Sequence, residues 1–239
     1  MPSKHISDAL VLPKKRSCET CDNRHCIVSK FCSAEWRVFL TKHKTTYLIP
    51  AGEEIFSKGS LVEGIYCVYS GYIKVYEFDN RSERILDLIK GGEILGYQGL
   101  SSKLSKYTVS AKALSETEIT FFPMDIFRLA IEANKQLAFF LIDLLTFKLN
   151  IVEYRSNSFN KIQAKDKIKF AIADMITSFG FENNDENNLK FTLSRKDIAS
   201  LAGTTYETVI RGLSELDKQK HIKLEGKSIR ILNLQHFEV

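Results

Sequence analysis

The sequence predicts an α+β chain: an N-terminal double-stranded β-helix (jelly roll), a long dimerisation helix and a C-terminal winged helix-turn-helix. Three observations carry that prediction. Eight of the twelve glycines fall between Gly52 and Gly99, among Val, Ile, Tyr and Phe in period-2 stretches, which is how short strands joined by turns are written. After Pro123 the apolar residues recur at steps of three and four, as one face of a helix requires. Near the C-terminus two helix-start signals flank Ala202-Gly203, and a short hairpin pattern follows them.

The bulk properties bound the answer. With 239 residues, 44% apolar and 26% charged, the chain has room for one large or two modest domains and reads as an ordinary soluble protein. Its longest apolar run, Leu137 to Leu145, is broken by Asp143, so no membrane-spanning helix is expected. Near the N-terminus the basic run Lys14 to Arg16 follows the short apolar stretch Ala9 to Leu12, the reverse of a secretory signal. The protein is expected in the cytoplasm. The net charge of +5 is concentrated at the ends: residues 1–45 carry nine Lys/Arg against four Asp/Glu, and residues 161–239 thirteen against eleven. Such a bias suits nucleic acid and many solvated surfaces alike. Four regions are expected: a cysteine-rich segment 1–35, a β-roll 36–124, a dimerisation helix with hinge 125–160, and a DNA-binding domain 161–239.

Within the roll, Ile65 to Tyr69 and Tyr72 to Tyr76 alternate across the tight link Ser70-Gly71. Lys90-Gly91-Gly92 marks another turn, and Thr108 to Phe122 reads as one alternating segment ending at Pro123. Beyond it, Leu137, Phe140, Leu144, Phe147, Ile151 and Tyr154 follow the a/d spacing of a coiled-coil seam, with Ala138, Leu141, Leu145 and Val152 as a second stripe. One stripe faces the roll and the other a partner, or both form one wide core face. We take the first set as the seam of a symmetric homodimer, ended by a hinge at Arg155 to Asn160.

The last segment opens with a helix over Lys161 to Phe179, whose apolar face is Ile162, Ile168, Ala171, Ile172 and Met175. Phe181 to Asn188 reads as a polar loop and Phe191 to Leu193 as a short strand. Ser194 with Asp197, and Thr204 with Glu207, then read as two capping boxes, and Ile222 to Ile231 as a hairpin wing. On the second capped helix Val209, Leu213 and Leu216 form the buried stripe, leaving Thr205, Tyr206, Glu207, Ile210 and Arg211 outward. An Arg donates twice to guanine and a carboxylate accepts from cytosine in the major groove, so Glu207 and Arg211, one turn apart, suit a G·C step. Alternatively Glu207 is only a cap and Arg211 its i,i+4 partner. Thr204, Thr205, Arg195, Lys196 and Lys227 fall where phosphate contacts are expected.

This order of parts, with "LSRKDIASLAGTTYETVIRGLSELDKQKHIKLEGKSIRI" at its end, resembles the Crp/Fnr family of bacterial transcription regulators. Glu207-Thr208-Val209-Ile210-Arg211 is similar to that family's E-T-V-x-R recognition signature, which implies that Glu207 and Arg211 read bases in a palindromic duplex site. Ile210 stands where other branches have Ser or Gly, and can touch a thymine methyl without hydrogen-bonding. RNA polymerase is a further candidate partner.

The same resemblance locates an effector pocket at Glu93, Tyr97, Gln98, Tyr107 and Thr108. Gly92-Glu93-Ile94-Leu95-Gly96 resembles the family's G-E-φ-φ-G-E segment, but Tyr97 replaces its ribose-binding Glu. Tyr107-Thr108 replaces the phosphate-binding Arg-Ser pair. Cyclic AMP is therefore not expected; a small apolar effector or aromatic core filling are the two uses of these residues.

Four of the five cysteines, Cys18, Cys21, Cys26 and Cys32, lie within fifteen residues. A cytoplasmic chain does not use such a cluster for structural disulfides. Flanked by Lys14, Lys15, Arg16, Arg24 and Lys30, these thiols suit an iron-sulfur cluster, a tetrahedral zinc or metal-free thiol redox chemistry. Cys26-x5-Cys32 resembles the N-terminal loop of oxygen-sensing family members. That resemblance implies a [4Fe-4S] cluster held by three N-terminal cysteines and a distant one. Thr120 occupies the distant position here, so Cys18 is expected to supply the fourth thiolate locally; Cys67 is the other candidate, although a thiol mid-strand between Tyr66 and Val68 reads more readily as buried and inert. His25 reads as exposed. An enzyme is not expected: the histidines, His5, His25, His43, His221 and His236, all lie outside the roll, and no Gly-rich phosphate loop, nucleophile elbow or H-E-x-x-H occurs.

Overall fold

The structure, a computed structural model, describes residues 10–12, 17–23, 25–79, 82–158 and 162–237, with the side chains at 79 and 154–158 outside the description. The expected basic neighbours Lys14, Lys15, Arg16 and Arg24, and the Tyr154 side chain of the expected dimer seam, fall outside it. The chain forms two compact units, 1–76 with 89–151, and 77–88 with 152–239.

The first unit is built on a β-roll. In chain order its elements are β1 (Leu10–Val11), α1 (Ile27–Phe31), α2 (Ala34–His43), β2 (Thr45–Ile49), β3 (Glu54–Phe56), β4 (Gly64–Ser70), β5 (Tyr72–Asp79) and β6 (Ser82–Lys90). There follow β7 (Ile94–Leu95), a 3-10 turn (Tyr97–Leu100), β8 (Ser110–Ala113), β9 (Thr117–Pro123), α3 (Met124–Ala133) and α4 (Lys135–Ser158). One sheet has the order β1-β2-β9-β4-β7 and the other β3-β8-β5-β6. The expected single segment Thr108 to Phe122 is two strands, because Leu114 to Glu116 turn the chain from one sheet to the other.

Strand β4 is buried at every residue from Gly64 to Val68, on both faces. Tyr66 and Val68 join Ile49, Ile55, Phe56, Ile73 and Ile119 between the sheets. Ile65 and Cys67 point the opposite way, as period-2 geometry dictates, into a second core with Leu40, Phe122, Phe127, Ala130, Leu137 and Leu141. That outer layer also holds Cys18, Ile27, Val28 and Cys32, so the N-terminal segment packs into it. Burying one such Ile or Phe contributes about 1.5–3 kcal/mol.

Helices α3 and α4 break at Asn134, whose buried side chain donates to the Ala130 carbonyl at 2.8 Å and accepts the Ser33 N–H at 2.9 Å. Here the expected dimer seam is corrected. Leu137 is fully buried in the chain's own core, and Phe140 and Leu144 pack against that core, with Phe140 stacked on Phe31 at 4.6 Å. Exposed instead are Ile142, Leu145, Leu149 and Val152, preceded by Phe139. Their steps of three, four and three make this the free a/d stripe. Phe147 is exposed and Ile151 half-buried. Among the described residues no helix is long and apolar enough to cross a membrane.

The second unit contains α5 (Ala164–Phe179), β10 (Phe181–Glu182), β11 (Asp185–Leu189), α6 (Arg195–Ala202), α7 (Tyr206–Lys218), β12 (Ile222–Glu225), β13 (Ser228–Ile231) and a closing 3-10 turn (Leu234–Phe237). Its sheet runs β10-β11-β13-β12. The expected polar loop Phe181 to Asn188 is therefore a hairpin, turned at Asn183-Asn184 and pinned by Arg230, whose guanidinium meets the Asp185 carboxylate at 2.7 and 3.1 Å. The expected strand Phe191 to Leu193 is irregular, with Leu193 buried as a plug. Residues 77–88, drawn from β5 and β6, also belong to this unit, where the Ser200 hydroxyl donates to the Glu83 carbonyl at 2.7 Å and accepts the Ile85 N–H at 3.0 Å.

Candidate nucleic-acid interface and cysteine pocket

The two-helix motif is assembled from local signals. Ser194 caps α6 by accepting the Asp197 N–H at 3.1 Å. Gly203 ends that helix in the left-handed region at φ 58°, which a side chain would strain. The second cap is Thr205 and not the expected Thr204: its hydroxyl accepts the Thr208 N–H at 3.3 Å and meets the Thr208 hydroxyl at 2.9 Å. Glu207 is thereby released from capping. It is exposed, as is Arg211 four residues on, and among the described residues neither carries an ion pair. The alternative reading of the two as cap and i,i+4 partner does not hold.

Val209 and Leu213 anchor the inner face of α7, with Leu216 half-buried. Thr205, Tyr206 and Ile210 are exposed beside Glu207 and Arg211, and Thr204 is half-buried in the turn. Residues 192–196, Tyr206, Gly226 and Lys227 enclose a groove of about 440 Å³. Lys196 and Lys227 are exposed there, where they can meet a phosphate backbone. Arg195 does something else: its guanidinium donates to the Lys227 carbonyl at 3.0 Å and the Gly226 carbonyl at 3.3 Å. It is half-buried and tethers the wing turn to α6, so the phosphate role expected for it is corrected to a positioning one.

The expected effector residues differ in burial and in their partners. Tyr107 is buried, stacks on Phe56 and points its hydroxyl to the Gly64 carbonyl at 3.4 Å. Burial, then Tyr66 and Glu63, raises its phenol further. Tyr97 packs in the outer core, Glu93 accepts the Lys90 N–H at 3.1 Å to brace the turn, Gln98 is half-buried and Thr108 is exposed. Tyr107 thus serves as aromatic filling between the sheets.

The cysteine segment is held on the outer face of the roll. The Cys18 N–H donates to Thr41 Oγ1 at 2.9 Å, Asn23 Nδ2 donates to the Tyr69 carbonyl at 3.0 Å, and the Tyr69 hydroxyl donates to Asp22 Oδ1 at 2.6 Å. Gly92 permits the approach of exposed His25, whose Cβ would stand 2.4 Å from a side chain added there. Cys26 and Cys32 flank α1 at its two ends. Cys18, Cys21, Cys26, Cys67, Lys44 and Thr120 line one cavity of about 30 Å³, together with Asn23, Val68, Tyr69, Glu118 and Phe122. Cys32 lies in the same core layer as Cys18 and Cys67.

Burial pushes Cys32 up to about 12, with Cys18 and Cys26 adding to the shift and Arg37 opposing it. Burial likewise raises Cys67 well above the usual range, helped by Cys26, Cys18 and Cys32 and opposed by Lys44. Soft sulfur donors select zinc or iron-sulfur groups, so these residues fit such a group in kind. Their spacing is not closed: among the described residues no three His, Cys, Asp or Glu stand close enough to hold an ion. Sequence reasoning did not find Lys44, which is only 4% exposed; nothing local marks it. Cys67 is buried as expected, and the alternation Tyr66-Cys67-Val68 turns its thiol away from the sandwich interior.

Comparison with known proteins agrees with this geometry. Residues 48–134 match the cyclic nucleotide-binding domain model, and residues 171–238 the Crp-like helix-turn-helix domain model. Electron transport regulator A of Shewanella oneidensis is 24% identical over 186 residues, covering 77% of this chain and 74% of that protein. Regulatory protein HlyX of Actinobacillus pleuropneumoniae is 23% identical over 246 residues, covering 99% of this chain and all of its own. The solved structure of FixK2 from Bradyrhizobium japonicum superposes with a TM-score of 0.71 at 21% identity, over 81% of this chain and 95% of that one. With a roll, a capped two-helix motif and both domain models in the same order, the chain belongs to the Crp/Fnr family of DNA-binding transcription regulators and is not an enzyme.

Proposed function

We propose that this regulator binds a palindromic duplex as a homodimer and that a thiolate-held [4Fe-4S] cluster in the cysteine pocket makes its DNA binding respond to oxygen. Regulators of the family act as dimers, and the exposed stripe Ile142, Leu145, Leu149 and Val152 offers a second copy a coiled-coil seam. Two α7 helices then enter successive major grooves about 34 Å apart. Glu207 and Arg211 read bases there, and Lys196 and Lys227 hold the phosphates. RNA polymerase is the further partner we assign to the DNA-bound dimer.

The observation that carries the sensing half is the gathering of the chain's five cysteines on one outer face of the roll, four of them on a single cavity. When bound, such a cluster supplies an oxygen-labile centre. The chain's own part is to present thiols, to shield them beneath α1 and the segment before it, and to set the Lys44 ammonium against their negative charge. Zinc is the second reading, favoured by the presence of four thiols on one cavity wall, the donor set of a tetrahedral site once the loop draws them together. Anaerobic purification tests both. Iron and labile sulfide in the isolated protein, with DNA binding lost in air, support the cluster. Zinc without iron supports the second reading, and a colourless protein with neither metal overturns both.

A further inference from the structure

We propose that the stacked pair His221 and His236 is a proton-sensitive latch at the base of the wing: neutral rings hold the wing and the closing 3-10 turn together, and proton uptake releases them and weakens DNA binding. The inference rests on the DNA-binding reading above and adds a control to it. The two imidazoles lie face to face, with centroids 3.7 Å apart and planes 11° from parallel. Neutral rings suit such a contact, whereas two imidazoliums at that distance repel. The His221 N–H donates to the Leu216 carbonyl at 3.0 Å, and its own carbonyl accepts the Leu232 N–H at 2.9 Å and the Asn233 N–H at 3.1 Å. One residue thus closes both the end of α7 and the base of the β12–β13 hairpin, whose turn carries Lys227. His236 is tied to the same corner: its N–H donates to Asn233 Oδ1 at 3.3 Å, and the next residue, Phe237, is buried.

This corner is strained and depends on the stack. Lys220, just before His221, is the one non-glycine residue in the left-handed region among the described residues, at φ 60°. A side chain keeps that conformation only where its surroundings hold it, and the ring stack and hydrogen bonds of His221 supply the hold. The Nδ1 of His221 is buried and, among the described residues, has no hydrogen-bond partner, so the ring is positioned by stacking and not through that atom. A cavity of about 210 Å³ beside His236 brings Lys165, Asp166 and Lys169 from α5 and Glu215 from α7 to face it. The two ammoniums oppose a proton and the two carboxylates favour one, with Glu215 also accepting the Gln219 amide at 3.2 Å. Burial, then His221 and Lys169, leaves His236 below the ordinary histidine range. An unrestrained histidine titrates near about 6.5, so the open latch binds a proton more readily than the closed one. Closure is therefore fully favoured above that value and is lost as the pH falls through it, by up to about tenfold in the opening constant per pH unit. Bulk charge acts in the opposite direction, because added protons make the protein more cationic and tighten its hold on DNA.

The test uses the full-length protein, purified anaerobically, at about pH 7.5 and about pH 5.5, on either side of the ordinary histidine value. Amide exchange, corrected for its intrinsic pH dependence, should show Leu232 and Asn233 losing protection at least about threefold at the lower pH, while Val209 in the α7 core keeps its own. A fluorescent duplex selected from a random-sequence pool at the higher pH should bind at least about threefold more weakly at the lower one, at constant ionic strength. His236→Phe, which keeps a ring and cannot titrate, should abolish both changes, and His236→Ala should show the low-pH behaviour at both pH values. In the wild type the His236 ring proton resonance should titrate below about 6.5. Equal protection at the two pH values, an undiminished pH response in His236→Phe, or titration of His236 at or above the ordinary value overturns the latch. A duplex affinity indifferent to pH while protection falls overturns its coupling to DNA. A wild type that binds no duplex at the higher pH overturns the DNA-binding reading itself, and exchange and titration then still decide whether the latch exists.

Discussion

Tyr107 lies flat on Phe56, with ring centroids 3.8 Å apart and planes 10° from parallel. The pair fills the part of the roll where the family resemblance expects an Arg-Ser couple to grip a phosphate. A nucleotide phosphate brought here would meet an aromatic stack and no paired cation, at a cost of about 2–5 kcal/mol by analogy with broken buried charge pairs. Titration calorimetry with cyclic AMP should therefore register no binding to the wild-type protein. Tyr107→Ala should lower stability by about 3–5 kcal/mol, as buried aromatic truncations do, and a tight cyclic AMP complex would contradict this account of the roll.

The separation of Arg211 from Lys227 predicts two different defects in DNA binding. Arg211 stands exposed on α7 and Lys227 on the wing turn. Arg211→Ala should erase discrimination at one G·C pair in each half-site, about 1–3 kcal/mol per pair. Lys227→Ala should weaken all sequences about equally and reduce the salt slope by about one unit per contact. Binding measured on a panel of single-base operator variants at several salt concentrations separates the two. Equal loss of both kinds from either change would contradict the division of labour.

Ser200 of α6 predicts a local opening. Its hydroxyl both donates to the Glu83 carbonyl and accepts the Ile85 N–H. Ser200→Ala leaves both backbone groups without this partner, at about 0.5–1.5 kcal/mol for each bond. Amide exchange at Ile85 should accelerate about tenfold, with little change at Val209 in the α7 core. Unchanged protection at Ile85 would mean that the hydroxyl is dispensable.

What could be read in advance followed local chemistry. Ser194, Gly203 and the Ile222 to Ile231 wing carry their own turn and cap signals, so the helix-turn-helix was legible residue by residue. The shift from Thr204 to Thr205 as cap was not, because two adjacent threonines offer the same hydroxyl and only the backbone angles choose between them. The hairpin Phe181 to Leu189 was hidden by its Asn-rich composition, since part of what holds it is distant in sequence: the pairing of β11 with β13 and the Arg230–Asp185 contact, forty-five residues apart. The cysteine spacing announced a local gathering of thiols, yet the position of Cys67 opposite Thr120 is a matter of strand register, which no local pattern specifies.

The exposed stripe of α4 predicts where a second copy binds, and spacing alone did not single it out. Both seams have a/d periodicity, so only burial distinguishes them: Leu137 is fully enclosed while Ile142 is 60% exposed. A charge placed in a coiled-coil seam loses the apolar contact and stays unpaired when buried. Ile142→Asp or Leu149→Asp should raise the dimer dissociation constant by about 30-fold or more, the equivalent of about 2 kcal/mol at an interface anchor. Leu137→Ala should instead cost about 2–5 kcal/mol of folding stability by opening a cavity, with the dimer constant unchanged. Sedimentation equilibrium and thermal unfolding of the three variants read the two effects independently. Dissociation caused by Leu137→Ala, with Ile142→Asp still dimeric, would return the interface to the first stripe.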